Sequence, residues 1–123
     1  MNRPDSAIRI ARAYALPQSP QYYRVLVDRL WPRGVKKEAL QLDQWAKEVA
    51  PSHELRKWFN HDLEKWSEFR QRYLRELAVD AQLKCVRELL NSAGDKPILL
   101  IYAAKDTSHN NAIVLKEYLE RMG

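Results

Sequence analysis

The stretch Val25-Leu-Val-Asp-Arg-Leu-Trp-Pro-Arg-Gly34 joins an unbroken apolar segment to a charged turn. Its first three residues are bulky or β-branched, which is typical of a strand that is covered on both faces. Pro32 cannot continue such a strand, because it lacks the N–H that a ladder needs. Asp28, Arg29 and Arg33 therefore lie at or just beyond the carboxyl end of a strand, where α/β proteins usually hold their ligands.

Other apolar segments predict the rest of the sheet. Residues 8–14 form a first strand, residues 22–30 contain the second, and residues 98–104 form the last. The connector at residues 16–20 is too short for a helical crossover, so the first strand is either antiparallel to the second or not its neighbour. We predict a single domain over residues 1–123 with an α/β fold, in which a small, mainly parallel three-stranded sheet is packed by helices.

Residues 36–93 have a helical pattern throughout. Apolar residues at positions 42, 45 and 49 predict a first short helix, and Ser52 is a natural N-cap for the next. An aromatic stripe then runs from Trp58 to Tyr73. The stripe predicts core packing, and part of it can instead form the interface of a homodimer, because four tryptophans are many for so small a core.

The second and last strands are joined by a helical segment, so they should run parallel with a right-handed crossover. Their carboxyl ends then lie on the same edge of the sheet, and the final helix directs its N-terminal amides at that edge, which favours an anion. The residues that we expect to meet there are Asp28, Arg29, Trp31, Arg33, Lys105, Asp106, His109, Asn110 and Asn111.

Most of these residues have both a binding and a structural interpretation. Arg33 follows a proline-fixed turn, which favours ligand binding, and Lys105 can hold an anion. Asp28 and Arg29 either fix a ligand or end the strand through internal bonds. Trp31 stacks on a planar ligand or, in the interpretation we favour, covers the sheet edge.

Asp106 and His109 are the candidates for acid–base catalysis, because a histidine beside a carboxylate can transfer protons near neutral pH. In the structural alternative, a side chain among residues 106–108 caps the final helix, while His109 and Lys105 face water. Asn110 and Asn111 either donate hydrogen bonds to a ligand or serve as ordinary first-turn residues.

The sequence predicts neither a metal site nor a cofactor. His53 and His61 are separated by about 12 Å of helix, too far to share an ion. The single cysteine, Cys85, excludes an internal disulfide and a cysteine-rich zinc site. No signal-peptide pattern or membrane-spanning segment is visible, so we expect a cytoplasmic protein without a membrane partner.

A family resemblance covers almost the whole chain. Its carriers are Arg12 with Tyr14, Val27-Asp-Arg-Leu-Trp-Pro-Arg-Gly-Val35 with Lys37, Asp43 with Trp45 and Lys47, Pro51-Ser52 with Leu55 and His61, Trp66 with Phe69, Tyr73 and Glu76-Leu77, and Ala103-Ala-Lys-Asp106 with His109, Asn110 and Ala112. In these motifs the chain resembles the domain-of-unknown-function 488 family, specifically its short YeaO-like branch. The family takes its name from having no established activity.

The wider family often carries a cysteine and a glutamate at the end of the last strand, and a Cys-His-Arg element before the closing helix. The corresponding regions here read Tyr102-Ala-Ala-Lys105 and Ser108-His-Asn-Asn111. The resemblance therefore does not imply the thiol chemistry of those relatives.

Charge distribution suggests an anionic partner. Residues 1–33 hold six arginines against two aspartates, within a chain of net charge +5. We predict a strand-end cationic pocket for a small anionic metabolite or nucleotide, with acid–base chemistry as an option. The alternative is a nucleic-acid-binding module that uses this arginine-rich third with Trp31, although no established nucleic-acid-binding motif is visible.

Overall fold

A computed structural model describes residues 7–17 and 21–122. Residues 1–6, where the sequence predicts no signal peptide, and residues 18–20 of the predicted connector lie outside this description. The elements in chain order are β1 (Ile8–Arg12), β2 (Tyr23–Leu26), α1 (Lys37–Leu40), β3 (Gln44–Trp45), a 3₁₀ turn (Lys47–Val49), α2 (His53–Phe59), a second 3₁₀ turn (Leu63–Lys65), α3 (Trp66–Leu77), α4 (Asp80–Ala93), β4 (Ile98–Tyr102) and α5 (Asn111–Met122).

The strands form a four-stranded sheet in the order β1-β4-β2-β3, and each neighbouring pair is parallel. The predicted α/β class and the parallel pairing of β2 with β4 are confirmed, with Val25 opposite Leu100 in the register. β4 lies between β1 and β2. This confirms the alternative in which the first strand is not a neighbour of the second. β2 ends at Leu26 and β4 at Tyr102, both short of the predicted ends.

The prediction of helix throughout residues 36–93 was wrong at β3, which adds a fourth strand. The main chain here bonds to β2 instead of to itself: Asp43 N donates to Arg24 O at 2.9 Å, and Ala46 N donates to Leu26 O at 2.9 Å. The Asp43 carboxylate also accepts a bond from Arg24 N at 2.8 Å. These bonds hold the segment in an extended form and replace the predicted first helix.

The sheet is covered on both faces, as its unbroken apolar strands require. On one face Val25 and Leu100 belong to a large core with residues of α2, α3, α4 and α5, and on the other Leu26 and Ile101 pack with Leu40 of α1. The aromatic stripe contributes to the larger core as predicted, with Tyr73 fully buried. Its hydroxyl group donates to Val49 O at 2.5 Å, which satisfies the only polar group of that side chain.

The predicted N-cap at Ser52 is confirmed. Its hydroxyl oxygen accepts a bond from Leu55 N at 3.1 Å and donates to Glu76 Oε2 at 2.6 Å. Ser52 N donates to the other oxygen of Glu76 at 2.8 Å. The start of α2 is therefore fixed to α3, and this positions the loop before α2 beside the carboxyl edge of the sheet.

Candidate functional site

Asp28 lies between the elements that meet at the carboxyl edge of the sheet. Its Oδ2 accepts a bond from Ala103 N, just beyond β4, at 2.9 Å. Its Oδ1 accepts a bond from Asn111 Nδ2, at the start of α5, at 3.1 Å, and the same amide donates to Val27 O at 2.9 Å. Burial raises the pKa of Asp28, while the bonds from Ala103 and Asn111 act against the rise. The ends of β2 and β4 meet as predicted, and the Asp28 carboxylate links them to the start of α5.

Arg29 and Trp31 direct their polar atoms at the chain itself. The guanidinium of Arg29 donates from Nε to Pro51 O at 2.7 Å and from Nη2 to Ala50 O at 3.3 Å. The indole of Trp31 donates to Val35 O at 2.6 Å and meets the ring of Trp45 edge-on, with centroids 5.5 Å apart. We call Asp28, Arg29, Trp31 and Asn111 the inner group, because hydrogen bonds to neighbouring segments hold each of them.

Asp106 and His109 also meet, as the sequence suggests. His109 Nδ1 lies 3.1 Å from Asp106 Oδ2, while Asp106 Oδ1 accepts bonds from Ser108 N at 2.8 Å and His109 N at 3.0 Å. The bond from Ser108, with help from His109, lowers the pKa of Asp106. The His109 ring meets Trp66 edge-on, with centroids 5.3 Å apart. Such a pair can transfer a proton only to a substrate that reaches Nε2, the other ring nitrogen.

Asn110 is the buried polar residue of this loop, with 2 % of its surface exposed. Its Oδ1 accepts a bond from Ile113 N at 3.1 Å, and its Nδ2 donates to Asp106 O at 3.0 Å. Asn110 therefore caps the first turn of α5 and fixes the loop before it. The structural alternative for this loop had assigned the cap to a residue among 106–108.

A second group of residues at the same edge has unused cationic groups. Arg33 and Lys105 are exposed, and among the described residues neither side chain makes a hydrogen bond or an ion pair. Arg12 donates from Nε to Ala104 O at 3.0 Å, and its guanidinium lies 4.9 Å from the centre of the Tyr14 ring. Tyr14 in turn donates from its hydroxyl to Arg33 O at 2.8 Å. We call Arg12, Arg33 and Lys105 the cationic rim.

Arg12 was not among the residues that the sequence assigned to the site. It is the last residue of β1 and lies opposite Tyr102, the last residue of β4. Its place at the carboxyl edge follows from the insertion of β4 between β1 and β2, which the sequence left open. The signal that could have identified it is an arginine at the end of a short strand, followed by an aromatic residue.

Two surface cavities lie along β1. One has a volume of about 550 Å³ and is lined by residues that include Arg9, Arg12, Tyr22, Tyr102 and Thr107. The other, of about 620 Å³, lies between β1 and α5. Neither cavity is lined by any of the predicted ligand-binding residues, which are Asp28, Arg29, Trp31, Arg33, Lys105, Asn110 and Asn111.

Two further observations concern metals and membranes. Over residues 7–17 and 21–122, no three side chains of His, Cys, Asp or Glu gather closely enough to hold a metal ion. Within the same ranges, none of the helices combines the length and the apolar character that crossing a bilayer would require.

Comparison with known proteins relates the chain to a family. A family profile described as the inactive DUF488-N3 subclade matches residues 7–122. Uncharacterized protein YeaO of Escherichia coli (strain K12) is 44% identical over 115 residues, which cover 94% of this chain and 98% of that protein. Uncharacterized protein Rv3073c of Mycobacterium tuberculosis (strain H37Rv) is 36% identical over 115 residues, which cover 94% of this chain and 95% of that protein. No solved structure matches the chain significantly.

Proposed function

Because the chain belongs to the DUF488 family, within the subclade described as inactive, we propose that it binds a small anionic metabolite or nucleotide without converting it. The cationic rim is the observation that carries this proposal. Arg33 and Lys105 have no carboxylate within ion-pairing distance among the described residues. Cations that serve the fold usually have such a partner or an internal acceptor, as Arg29 does.

The geometry of the rim suits an anion with more than one oxygen. The bond from Arg12 Nε to Ala104 O orients the guanidinium and leaves its terminal nitrogens for a ligand. Tyr14 contacts the Arg12 guanidinium with its ring and the main-chain carbonyl of Arg33 with its hydroxyl, so it fixes the backbone of Arg33 beside Arg12. Guanidinium groups can each donate to separate oxygens of a phosphate or carboxylate, and such charge-assisted bonds are the stronger kind.

Asp106 serves as an acceptor within its own loop. The bonds from Ser108 and His109 lower its pKa, so Asp106 stays ionised near neutral pH and is a poor base for a substrate proton. The same carboxylate accepts main-chain bonds that shape the loop, and Asn110 bonds to the carbonyl group of Asp106. In the proposal, Asp106 and His109 therefore hold the loop before α5, and the wider family's cysteines have no counterpart there.

The test is a titration of the full chain with inorganic phosphate and with ADP, followed by calorimetry. We expect Arg33→Ala and Lys105→Ala each to weaken binding by about tenfold, which corresponds to about 1.4 kcal/mol. Lys96→Ala is the matched control, because it removes the same charge beside the amino end of β4, at the opposite edge of the sheet. Unchanged affinity in both rim variants, or an equal loss in the control, would contradict the proposal.

Two further measurements separate binding from the other possibilities. Phosphorus NMR of ADP incubated with the protein should show no reaction, and release of phosphate would contradict the proposal that the ligand is not converted. Titration with duplex DNA and single-stranded RNA at several salt concentrations tests the nucleic-acid alternative, since phosphate contacts along a strand give steep salt dependence. Binding to those polymers without binding to ADP or phosphate would favour that alternative. Arg12 is not substituted, because its bond to Ala104 O also serves the fold.

A further inference from the structure

In the part of the chain that the structure describes, one side of the β1 backbone faces no other strand. The bond from Ala13 N to Tyr102 O, 2.7 Å long, fixes the phase of the ladder between β1 and β4. In a parallel ladder alternate residues face the same neighbour, so the backbone groups of Arg9 and Ala11 face β4, and those of Ile8 and Ile10 face away. No strand in the described part of the chain pairs with that outer side. An open edge of this kind is a template for a further strand.

A groove runs along this edge between β1 and α5. Its volume is about 620 Å³. The lining residues are Ile8, Arg9 and Ile10 from β1, and Ile113, Lys116, Glu117 and Glu120 from α5. Ile10 and Ile113, which are partly exposed, supply apolar surface beside the open backbone, while α5 supplies charges of both signs. The groove therefore combines a strand template with a charged helix surface.

Glu120 has one buried carboxylate oxygen in this groove. Its Oε2 lies 3.5 Å from Lys116 Nζ, close enough for an ion pair, yet the atom is buried and accepts no hydrogen bond from the described residues. Glu117 differs, because both Nε and Nη2 of Arg70 donate to it. The Glu120 side chain as a whole keeps 23% of its surface exposed, so its carboxylate can still meet a cation from outside the chain.

We propose that a second copy of this chain binds here, with the two β1 strands antiparallel across a two-fold axis. A two-fold interface uses the same surface on both copies, so that surface must be complementary to itself. Lys116 and Glu120 are one helical turn apart on α5. When two such helices run antiparallel, Lys116 of one copy lies opposite Glu120 of the other, and the Glu120 carboxylate gains a second cationic neighbour. The outward-facing backbone groups of the two β1 strands then pair with each other.

The charge pattern selects this occupant over an extended peptide of uniform charge. Such a peptide would pair with either Lys116 or Glu120 and would bring a like charge to the other. A second copy satisfies both residues with two equivalent pairs. Lys116 and Glu120 lie on α5 and are not members of the cationic rim, so the charge variants test the interface without altering a rim side chain.

The experiment is a charge exchange followed by sedimentation equilibrium of the full chain. We expect wild type to form a dimer, and Lys116→Glu and Glu120→Lys each to raise its dissociation constant by about tenfold or more, because each places like charges opposite one another. The double variant K116E/E120K should return the constant to within about threefold of wild type, since the pairs are restored with reversed sign. A monomeric wild type, single reversals without effect, or a double variant as weak as the singles would each overturn the proposal.

Hydrogen exchange at Ile10 supplies a second readout on folded protein. The Ile10 N–H faces the open edge, so it should exchange slowly in the dimer and rapidly in Lys116→Glu, while the Ala11 N–H, which faces β4, should stay protected in both. Rapid exchange of Ile10 in a dimeric wild type would overturn the proposed pairing. If the dimer formed through the aromatic stripe instead, the Ile10 N–H would exchange rapidly and the charge variants would not change the dissociation constant. This result would overturn the proposal.

Discussion

The inner group and the cationic rim occupy the same edge of the sheet and differ in what their charges contact. Arg29 and Arg33 make the comparison directly, since both follow the same strand. Arg29 donates to the carbonyl oxygens of Pro51 and Ala50, whereas the side chain of Arg33 has no partner among the described residues. Residue type and position at a strand end therefore do not decide whether an arginine serves the fold or remains free. The decisive factor is whether a main-chain acceptor lies within reach.

Partial burial explains why the inner group is committed to the fold. A polar group removed from water must find a partner, because losing one costs about 1–3 kcal/mol. Asp28 meets this requirement with bonds from Ala103 N and Asn111 Nδ2. Arg33 and Lys105 of the rim are exposed, keep their hydration and have no such requirement. Substitutions in the inner group should therefore reduce stability, and substitutions of Arg33 or Lys105 should reduce binding.

The largest effect on stability is expected for Asp28→Ala. This substitution removes the acceptor of both Ala103 N and Asn111 Nδ2, so the free energy of unfolding should fall by about 2 kcal/mol. Urea denaturation measures the loss. The matched control is Asp95→Ala, an exposed carboxylate in the turn before β4, which should change stability by less than about 0.5 kcal/mol. A loss at Asp28 no greater than that of the control would show that the network does not hold the edge together.

A smaller loss is expected for Trp31→Phe. The phenyl ring retains an aromatic contact with Trp45, but the bond from the indole to Val35 O disappears. One hydrogen bond of this kind contributes about 1 kcal/mol to the free energy of unfolding. The same denaturation experiment, with an ADP titration beside it, separates the two interpretations of Trp31. Unchanged stability together with weakened ADP binding would favour a stacking role over a structural one.

The two aspartates of this edge should respond to pH in opposite directions. Burial raises the pKa of Asp28 above the usual value of about 3.9. Between that value and its own pKa the folded state holds the proton more tightly, so the contribution of Asp28 to stability falls as pH rises through this window. The bond from Ser108 lowers the pKa of Asp106, so its contribution is complete above about 3.9 and is lost as pH falls through its own pKa.

Comparing wild type with Asp28→Asn and Asp106→Asn measures these slopes. As pH rises above about 3.9, the stability of wild type relative to Asp28→Asn should decrease. As pH falls below about 3.9, the stability of wild type relative to Asp106→Asn should decrease. Slopes of the same sign in both comparisons would mean that one of the two carboxylates is not held as described.

Local sequence pattern predicted β1, β2 and β4 and failed at the other edge of the sheet, where β3 lies. β2 and β4 are unbroken apolar segments, and their parallel pairing follows from the helical connection between them. β3 is only two residues long, too short for alternation to appear. It exists because main-chain bonds join it to β2, which lies far earlier in the chain, and the apolar spacing of residues 42–49 gives no sign of that contact.

The candidate site was predictable to the extent that it depends on parallel strands. The meeting of Asp28 with Asn111 follows from that topology. The contact between Asp106 and His109 follows from their closeness in sequence. The position of Arg12 in the site could not be predicted from the sequence, because it depends on where β1 enters the sheet. The division between the inner group and the rim could not be predicted from the sequence either, since it depends on the carbonyl groups of Ala50 and Pro51, which lie before α2 and accept bonds from Arg29. The family resemblance, by contrast, needed only the motifs and is confirmed.

The smallest effect on stability is expected for Arg33→Ala and Lys105→Ala. Exposed side chains without partners usually contribute less than about 0.5 kcal/mol, so both variants should unfold at nearly the same urea concentration as wild type while their phosphate affinity falls. This pairing of results separates binding residues from structural ones more sharply than either result alone. If Arg33→Ala lowered the free energy of unfolding as much as Asp28→Ala, the guanidinium would be serving the fold. The rim would then be an extension of the inner group, and the basis for an anion site at this edge would be lost.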